Sequence, residues 1–267
     1  MGFLRGELWL AGGAILAAGM WLCVWAKVNN HVSADVLVLG SVGMGVVYLL
    51  MLMVQPGRAS RGVWVAMILV AVLMRMPWFF VPASSGEDYF RYLWDGAVTA
   101  NGVNPYAHAP RNVADGQVDN PTLKRLAQSG RGTLEGVNHP ELRTIYPPAA
   151  QSAFALAYWI APFDLTGWQI VLLGFDVLAA LAVLGLLRAA GLPLSLAFLY
   201  LWNPLLVTET YGGCHLDILT AAMVVMFAWA LARKRSIVAT IALALGIGVK
   251  LWPVLLLPFL LRSLWGN

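Results

Sequence analysis

The stretch LWLAGGAILAAGMWLCVWA, from Leu8 to Ala26, contains no charged residue. Its length of about 19 residues is close to the roughly 20 that an α-helix needs to cross the hydrocarbon core of a bilayer. The apolar core of a signal peptide is usually shorter, about 7–15 residues. We therefore interpret the stretch as a retained transmembrane helix.

The composition of the whole chain agrees with a membrane protein. Of its 267 residues, 60% are hydrophobic and only 11% are charged, whereas about 25% are charged in soluble domains. Further apolar runs predict additional membrane spans at about 36–54, 63–82, 167–187, 194–209, 217–232, 236–250 and 253–265. The sequence thus predicts an all-α polytopic membrane protein with about eight transmembrane helices.

The basic residues predict how these helices are oriented. Arginine and lysine near span ends mark the cytoplasmic side, which places Arg5, Arg58 and Arg61 inside and the polar region after residue 82 outside. The apolar stretch at 149–161 is too short to cross comfortably. If it lies along the outer interface, the basic residues near later spans also fall inside: Arg188, Arg233, Lys234, Arg235 and Arg262. We therefore expect one large external loop, residues 83–166, that contains interfacial helices.

The segment GEDYFRYLWDG, from Gly86 to Gly96, opens this external loop. On a helix, Asp88, Tyr92 and Asp95 share one face with Arg91 beside them, which is typical of an amphipathic helix in the membrane interface. Such a helix is either structural, with its acids paired to Arg91, or part of a site. The adjacent carboxylates of Glu87 and Asp88 favour a site, because they repel each other unless a cation or a proton is present.

Two further polar groups interrupt the later apolar runs. Asn203-Pro204 should break the helix there, and the chain then passes Glu209, His215 and Asp217 before it re-enters an apolar run. Lys250 stands alone among apolar residues, where it either snorkels to the interface or binds the phosphate of a lipid. The orientation derived above brings these groups to the same external face.

Together these motifs resemble the polyprenyl-phosphate-sugar-dependent membrane glycosyltransferases of the GT-C superfamily, and most closely their mannosyltransferase-like members. The resemblance covers roughly residues 70–262, and it rests on EDYFRYLWDG (87–96), NPY (104–106), HPE (139–141), YPP (146–148), WNP (202–204), GCHLD (213–217) and VKLWP (249–253). It implies a catalytic carboxylate in the first large external loop. Carried over, Asp88 is the catalytic base and Glu87, which stands where the family often has aspartate, is its acidic neighbour. The implied residues for donor or substrate binding are Arg91, Tyr92, Asp95, Tyr146, His215, Asp217 and Lys250.

The resemblance also implies a reaction. A hexose, mannose by the family's example, would move from a polyprenyl-phosphate donor to an acceptor hydroxyl of a glycan or lipid. A multi-pass protein of a bacterial cytoplasmic membrane with its active face outside is expected, bound to the lipid bilayer and to no nucleic acid. The leaving phosphate would be stabilised by Lys250, by Arg91 or by a divalent metal held by the acids. A divalent metal is the one cofactor that this interpretation leaves open.

The resemblance predicts that residues 1–62, with two transmembrane helices, precede a GT-C-like core at residues 63–267. Because such enzymes usually continue through several more spans, a truncated or split protein is one reading of this chain. Two other functions stay open: a lipid or sugar transporter or flippase, and a non-catalytic subunit of a glycosylation complex. Substrate movement without bond breakage would favour the transporter.

Overall fold

The computed structural model describes residues 2–29, 34–55, 60–83 and 86–265, and all regular structure within these ranges is helical. This confirms the prediction of an all-α protein. Among the described residues, three helices are long and apolar enough to cross a membrane: Gly6–Val28, Arg61–Phe80 and Leu165–Ala189. Shorter apolar helices occur at Val38–Val54, Asp217–Ala232, Ser236–Val249 and Trp252–Trp265. The protein is therefore consistent with a membrane protein, while the count of eight spans stays a prediction.

The helices follow one another along the chain without strands between them in the described ranges. Their bounds are α1 Gly2–Val28, α2 Ala34–Val54, α3 Arg61–Arg75, α4 Asp88–Ala100, α5 Pro110–Ala114, α6 Pro121–Ser129, α7 Arg131–Glu135, α8 Pro148–Ile160, α9 Leu165–Ala189, α10 Phe198–Leu201, α11 Pro204–Val207, α12 Asp217–Ala232, α13 Ser236–Val249 and α14 Leu257–Trp265. Short 3₁₀ turns lie at Met76–Phe80, Leu194–Ala197 and Trp252–Leu256, and a π-helical turn lies at Thr208–Gly212.

The chain packs as two units. One comprises Met1–Ser84 and Ala180–Gly213, and the other comprises Ser85–Ala179 and Cys214–Asn267. Every residue that the sequence proposed for catalysis or binding belongs to the second unit. The division predicted between residues 62 and 63 rests on the resemblance and stays a prediction.

The first unit explains the Trp202-Asn-Pro204 motif in structural terms. The indole of Trp202 is fully buried, stacks on Trp9 with ring centroids 4.2 Å apart, and donates a 2.9 Å hydrogen bond to the carbonyl of Met67. The side chain of Asn203 caps α11 by accepting from the N–H of Leu206 at 3.1 Å. The predicted span at 194–209 is consequently a series of short helices, broken where Asn203-Pro204 predicted a break.

The second unit is organised around α4, which has helices on both sides. Its apolar face, with Trp94, Ala97 and Val98, packs on a small core that α5–α7 and their connections supply. Its other face packs against α8 so closely that a β carbon at Gly96 would lie 2.3 Å from the carbonyl oxygen of Phe154. As a result, every residue from 91 to 98 is buried. The amphipathic pattern predicted one polar face open to water, whereas α8 covers that face in the structure. The position of α4 in the membrane interface stays a prediction.

Candidate active site

Asp88 lies at the start of α4, where a carboxylate is favoured by the helix dipole. It is half-buried, and its Oδ1 accepts a 2.9 Å hydrogen bond from the side-chain amide of Asn138. Glu87 precedes the helix and is exposed. The segment 86–96 was predicted as a helix, and the structure has it as α4 from Asp88, so that Gly86 and Glu87 precede the helix. Within the described residues, the carboxylate of Asp88 accepts a side-chain hydrogen bond, and none is found for Glu87.

Arg91 lies one turn further along α4 and is only 7% exposed. Its Nη1 donates to the carbonyl of Leu142 at 2.9 Å, and its Nη2 donates to the carbonyls of Asn138 and His139 at 3.0 and 2.8 Å. A buried guanidinium needs such partners, because an unsatisfied charged donor is costly to bury. The side chain thus fastens the segment 138–142 to α4.

An aromatic cluster lies next to these groups. Tyr92 stacks on Phe154 with ring centroids 4.8 Å apart, and it meets Tyr146 and Trp168 edge-to-face at 5.2 and 5.4 Å. Edge-to-face and offset-stacked contacts of this kind stabilise the packing of aromatic rings. The Nε1 of Trp168 donates a 2.8 Å hydrogen bond to the carbonyl of Cys214, which ties the segment before α12 to the cluster.

Three of the proposed binding residues lie at helix ends: His215 just before α12, Asp217 at its first position, and Lys250 directly after α13. The Nζ of Lys250 lies 2.5 Å from Oδ1 of Asp217. The imidazole of His215 lies beside the segment that precedes the N-terminus of α4. Its Nε2 would be 4.0 Å from a β carbon added to Gly86. The structure therefore brings Asp217 and Lys250 into direct contact and places His215 against the segment that leads to Asp88.

The hydroxyl of Tyr92 connects these groups with the acidic end of α4. Burial and Tyr146 raise its pKa, and the charges of Asp88 and Asp217 raise it further. Both carboxylates thus act electrostatically on the same buried hydroxyl, which stays neutral. The second unit consequently gathers Asp88, Tyr92, Tyr146 and Asp217 in one region.

Asp95 is the most deeply buried acid of α4, at 3% exposure. Burial raises its pKa from 3.8 to about 6, although Thr144, Arg91 and Gln151 act in the opposite direction. The amide of Gln151 donates to Oδ2 of Asp95 at 3.3 Å and to the hydroxyl of Thr144 at 3.0 Å. Because the buried carboxylate of Asp95 is part of this hydrogen-bond network, it favours a structural role, in which it links α4 to α8.

We expect the stability of the protein to fall between about pH 4 and pH 6, because Asp95 must lose its proton inside the fold. The pKa of Asp95 is higher in the folded protein than in the unfolded chain. The free energy of unfolding is therefore largest below about pH 4, falls as the pH rises between the two pKa values, and is lowest above about pH 6. A difference of about two units corresponds to roughly 3 kcal/mol. Asp95→Asn should remove this slope. Thermal unfolding in detergent from pH 4 to pH 7 tests it, and an unchanged slope would contradict the assignment to Asp95.

Four residues of this region were missed by the sequence analysis: Asn138, Thr144, Gln151 and Trp168. Gln151 carried a usable signal, because it is a lone amide within an apolar stretch. Asn138 carried none, since it stands in a polar segment that is rich in similar residues. Within the described ranges, no group of three or more histidine, cysteine, aspartate or glutamate side chains is arranged to hold a metal ion. The metal alternative stays a prediction.

Comparison with known proteins gives a family match for part of the chain. Residues 144–265 match the model of the alpha-(1->6)-mannopyranosyltransferase N-terminal domain, which is somewhat less than half of the 267 residues. On this match the protein is an enzyme of the glycosyltransferase class. The same match supports a mannosyltransferase family, as the resemblance predicted.

The matched residues contain Tyr146, His215, Asp217 and Lys250, whereas the acidic end of α4 lies before them. Neither curated proteins nor solved structures gave a significant match.

Proposed function

We propose that the protein transfers mannose from a polyprenyl-phosphate donor to an acceptor hydroxyl at the extracytoplasmic face of a bacterial cytoplasmic membrane. The observation that carries this proposal is the mannosyltransferase match over residues 144–265. The name of the matched family further suggests an α-(1→6) linkage, in which case the acceptor is a primary hydroxyl at a sugar C6. The polyprenyl-phosphate donor and the GT-C superfamily come from the sequence motifs.

Asp88 acts as the general base in this proposal. Its carboxylate accepts the proton of the acceptor hydroxyl while the oxygen attacks the anomeric carbon of the mannose. The bond from that carbon to the phosphate oxygen breaks, and polyprenyl phosphate leaves with both electrons. Attack opposite the leaving group inverts the anomeric centre, so an α product requires a β-linked donor. The half-buried position of Asp88 supports this role, because it combines access for a substrate with a fixed partner at Oδ1.

Lys250 stabilises the negative charge that develops on the leaving phosphate. Its ammonium pairs with Asp217, whose charge in turn acts on Tyr92 beside the acidic end of α4. A phosphate that binds here competes with Asp217 for the ammonium. Both terminal nitrogens of Arg91 already donate to carbonyls of the segment 138–142. For that reason we assign the phosphate to Lys250.

The surface of α8 supports the membrane arrangement in this proposal. Leu156, Trp159 and Ile160 recur at helical spacing and are exposed, with Trp159 68% exposed, while Phe154 on another side of the helix is fully buried. An exposed apolar stripe with a tryptophan is typical of a helix at the lipid interface. This agrees with α8 lying along the outer interface of a protein with about eight spans.

The donor class can be tested with purified protein in proteoliposomes. Two samples receive the same acceptor extract, one with radiolabelled mannosyl polyprenyl phosphate and the other with equally labelled GDP-mannose. We expect label in an acid-stable glycan only with the lipid donor. Transfer from GDP-mannose alone would overturn the proposed donor, and movement of intact lipid donor across the bilayer without transfer would favour a transporter.

We expect Lys250→Ala to raise KM for the lipid donor by about tenfold or more, since a charge-assisted hydrogen bond to a phosphate contributes about 1.5–3 kcal/mol. Lys250→Arg retains the charge and should have a smaller effect. Lys124→Ala is the matched control, because it also removes a lysine that pairs with an aspartate, Asp119, at 2.7 Å. Equal effects of alanine and arginine at position 250 would argue against phosphate binding there.

A further inference from the structure

The structure assigns to Asn138 the role of a positioning residue for Asp88. This inference rests on the proposed function, in which Asp88 takes a proton from the acceptor. The amide of Asn138 donates to Oδ1 of Asp88 at 2.9 Å. An amide N–H holds a carboxylate oxygen in place but cannot accept a proton from the substrate. The two oxygens of Asp88 therefore have different tasks.

In this inference the second oxygen, Oδ2, takes the proton of the acceptor hydroxyl. Among the residues that the structure describes, Oδ2 of Asp88 has no hydrogen-bond partner, whereas Oδ1 is held by Asn138. A carboxylate that is fixed by one oxygen can rotate less about its side-chain bonds. The free oxygen then points in a defined direction, which a general base needs for in-line removal of a proton.

Asn138 is itself held in place by an independent set of contacts. Arg91 donates to the backbone carbonyl of Asn138 at 3.0 Å, and to those of His139 and Leu142 at 2.8 and 2.9 Å. Because Arg91 is buried and lies three residues after Asp88 on the same helix, it fixes the segment 138–142 relative to the acid. The position of the amide thus depends on α4 itself.

The test separates positioning from general damage to the fold. Asn138→Leu removes the donor, and Asn138→Asp retains the shape but places a carboxylate against Asp88. We expect kcat for mannosyl transfer to fall about 10²-fold in both variants, the size typical of a misplaced reactive group. KM for the lipid donor should change by no more than about threefold, because in this inference the side chain of Asn138 acts on Asp88 and not on the donor. Asn112→Leu is the control, since Asn112 is an exposed amide on α5.

A second measurement does not depend on activity. Asp88→Ala, Asn138→Ala and the double variant form a thermodynamic cycle on the midpoint of thermal unfolding. If the two side chains are hydrogen-bonded, the unfolding midpoint of the double variant should fall by less than the sum of the decreases in the two single variants. Additive losses would overturn the contact, and hence the inference, whether or not the protein transfers mannose.

Failure of the proposed function and failure of the positioning role give different results. If the wild type does not use the lipid donor, the proposed function fails while the cycle still decides whether Asn138 holds Asp88. If the cycle shows coupling but both Asn138 variants keep kcat within a few-fold of wild type, the positioning role is overturned. A large rise in KM with unchanged kcat would also overturn it, because that result assigns Asn138 to donor binding.

Discussion

Replacing Asp88 by asparagine should reduce mannosyl transfer by at least about 10²–10⁴-fold, the contribution typical of a general base. The asparagine retains the size of the aspartate and can still accept the hydrogen bond that Asn138 donates at Oδ1. The fold and the binding of the donor should therefore be preserved. Single-turnover assays with saturating lipid donor measure the chemical step, and a parallel binding assay measures the donor affinity.

The control for this substitution is Asp115→Asn. Asp115 is an exposed acid at the end of α5, and the change in charge is the same. We expect its transfer rate to be unchanged. If Asp88→Asn keeps near-normal activity, another carboxylate takes the proton, and Glu87 is the next residue to replace.

Gly96→Ala should destabilise the protein by roughly 3 kcal/mol, at the upper end of the cost of overpacking. The added carbon would lie 2.3 Å from the carbonyl oxygen and 2.6 Å from the carbonyl carbon of Phe154. Both atoms are backbone, so α4 and α8 must separate to admit the methyl group. The separation would also open the aromatic contact between Tyr92 and Phe154.

Thermal unfolding in detergent measures this loss, followed with a thiol-reactive dye that labels the buried Cys214 in a Cys23→Ser background, because Cys23 is also a free thiol and is only half-buried. Gly174→Ala is the matched control, because Gly174 also lies within a helix but has open space where its β carbon would be. Alanine there should stabilise slightly through helix propensity. A midpoint for Gly96→Ala equal to that of the control would contradict the close packing of α4 and α8.

Much of the helical content could be predicted because apolar runs and proline positions are local signals. The start of α8 is one example: Pro148 occupies its first turn, a position where the missing N–H of proline is not needed. The break at Asn203 is another, since proline removes a backbone donor wherever the chain goes. These features depend on a few neighbouring residues and need no knowledge of the tertiary packing.

The burial of α4 could not be predicted in the same way. Its pattern of polar and apolar faces is that of an interfacial helix, and only the position of α8 turns Asp95 into a buried acid. The same holds for Arg91, whose partners are backbone carbonyls 47 to 51 residues away along the chain. Every residue type has a backbone carbonyl, so no pattern in the sequence indicates which residues accept these hydrogen bonds. Asn138 was missed because it stands in a polar segment that is rich in similar residues, and its contact with Asp88, 50 residues away, depends on the tertiary fold.

The central claim, mannosyl transfer from a lipid phosphate with Asp88 as base, is tested most directly by following one label. Membranes containing the wild type, Asp88→Asn or Asp115→Asn at matched expression receive radiolabelled polyprenyl-phosphate mannose and an acceptor extract. We predict that label leaves the lipid and enters an α-(1→6)-linked product with the wild type and Asp115→Asn, but stays in the lipid with Asp88→Asn. Equal transfer by all three would contradict the role of Asp88, and no transfer by any of them would contradict the proposed reaction.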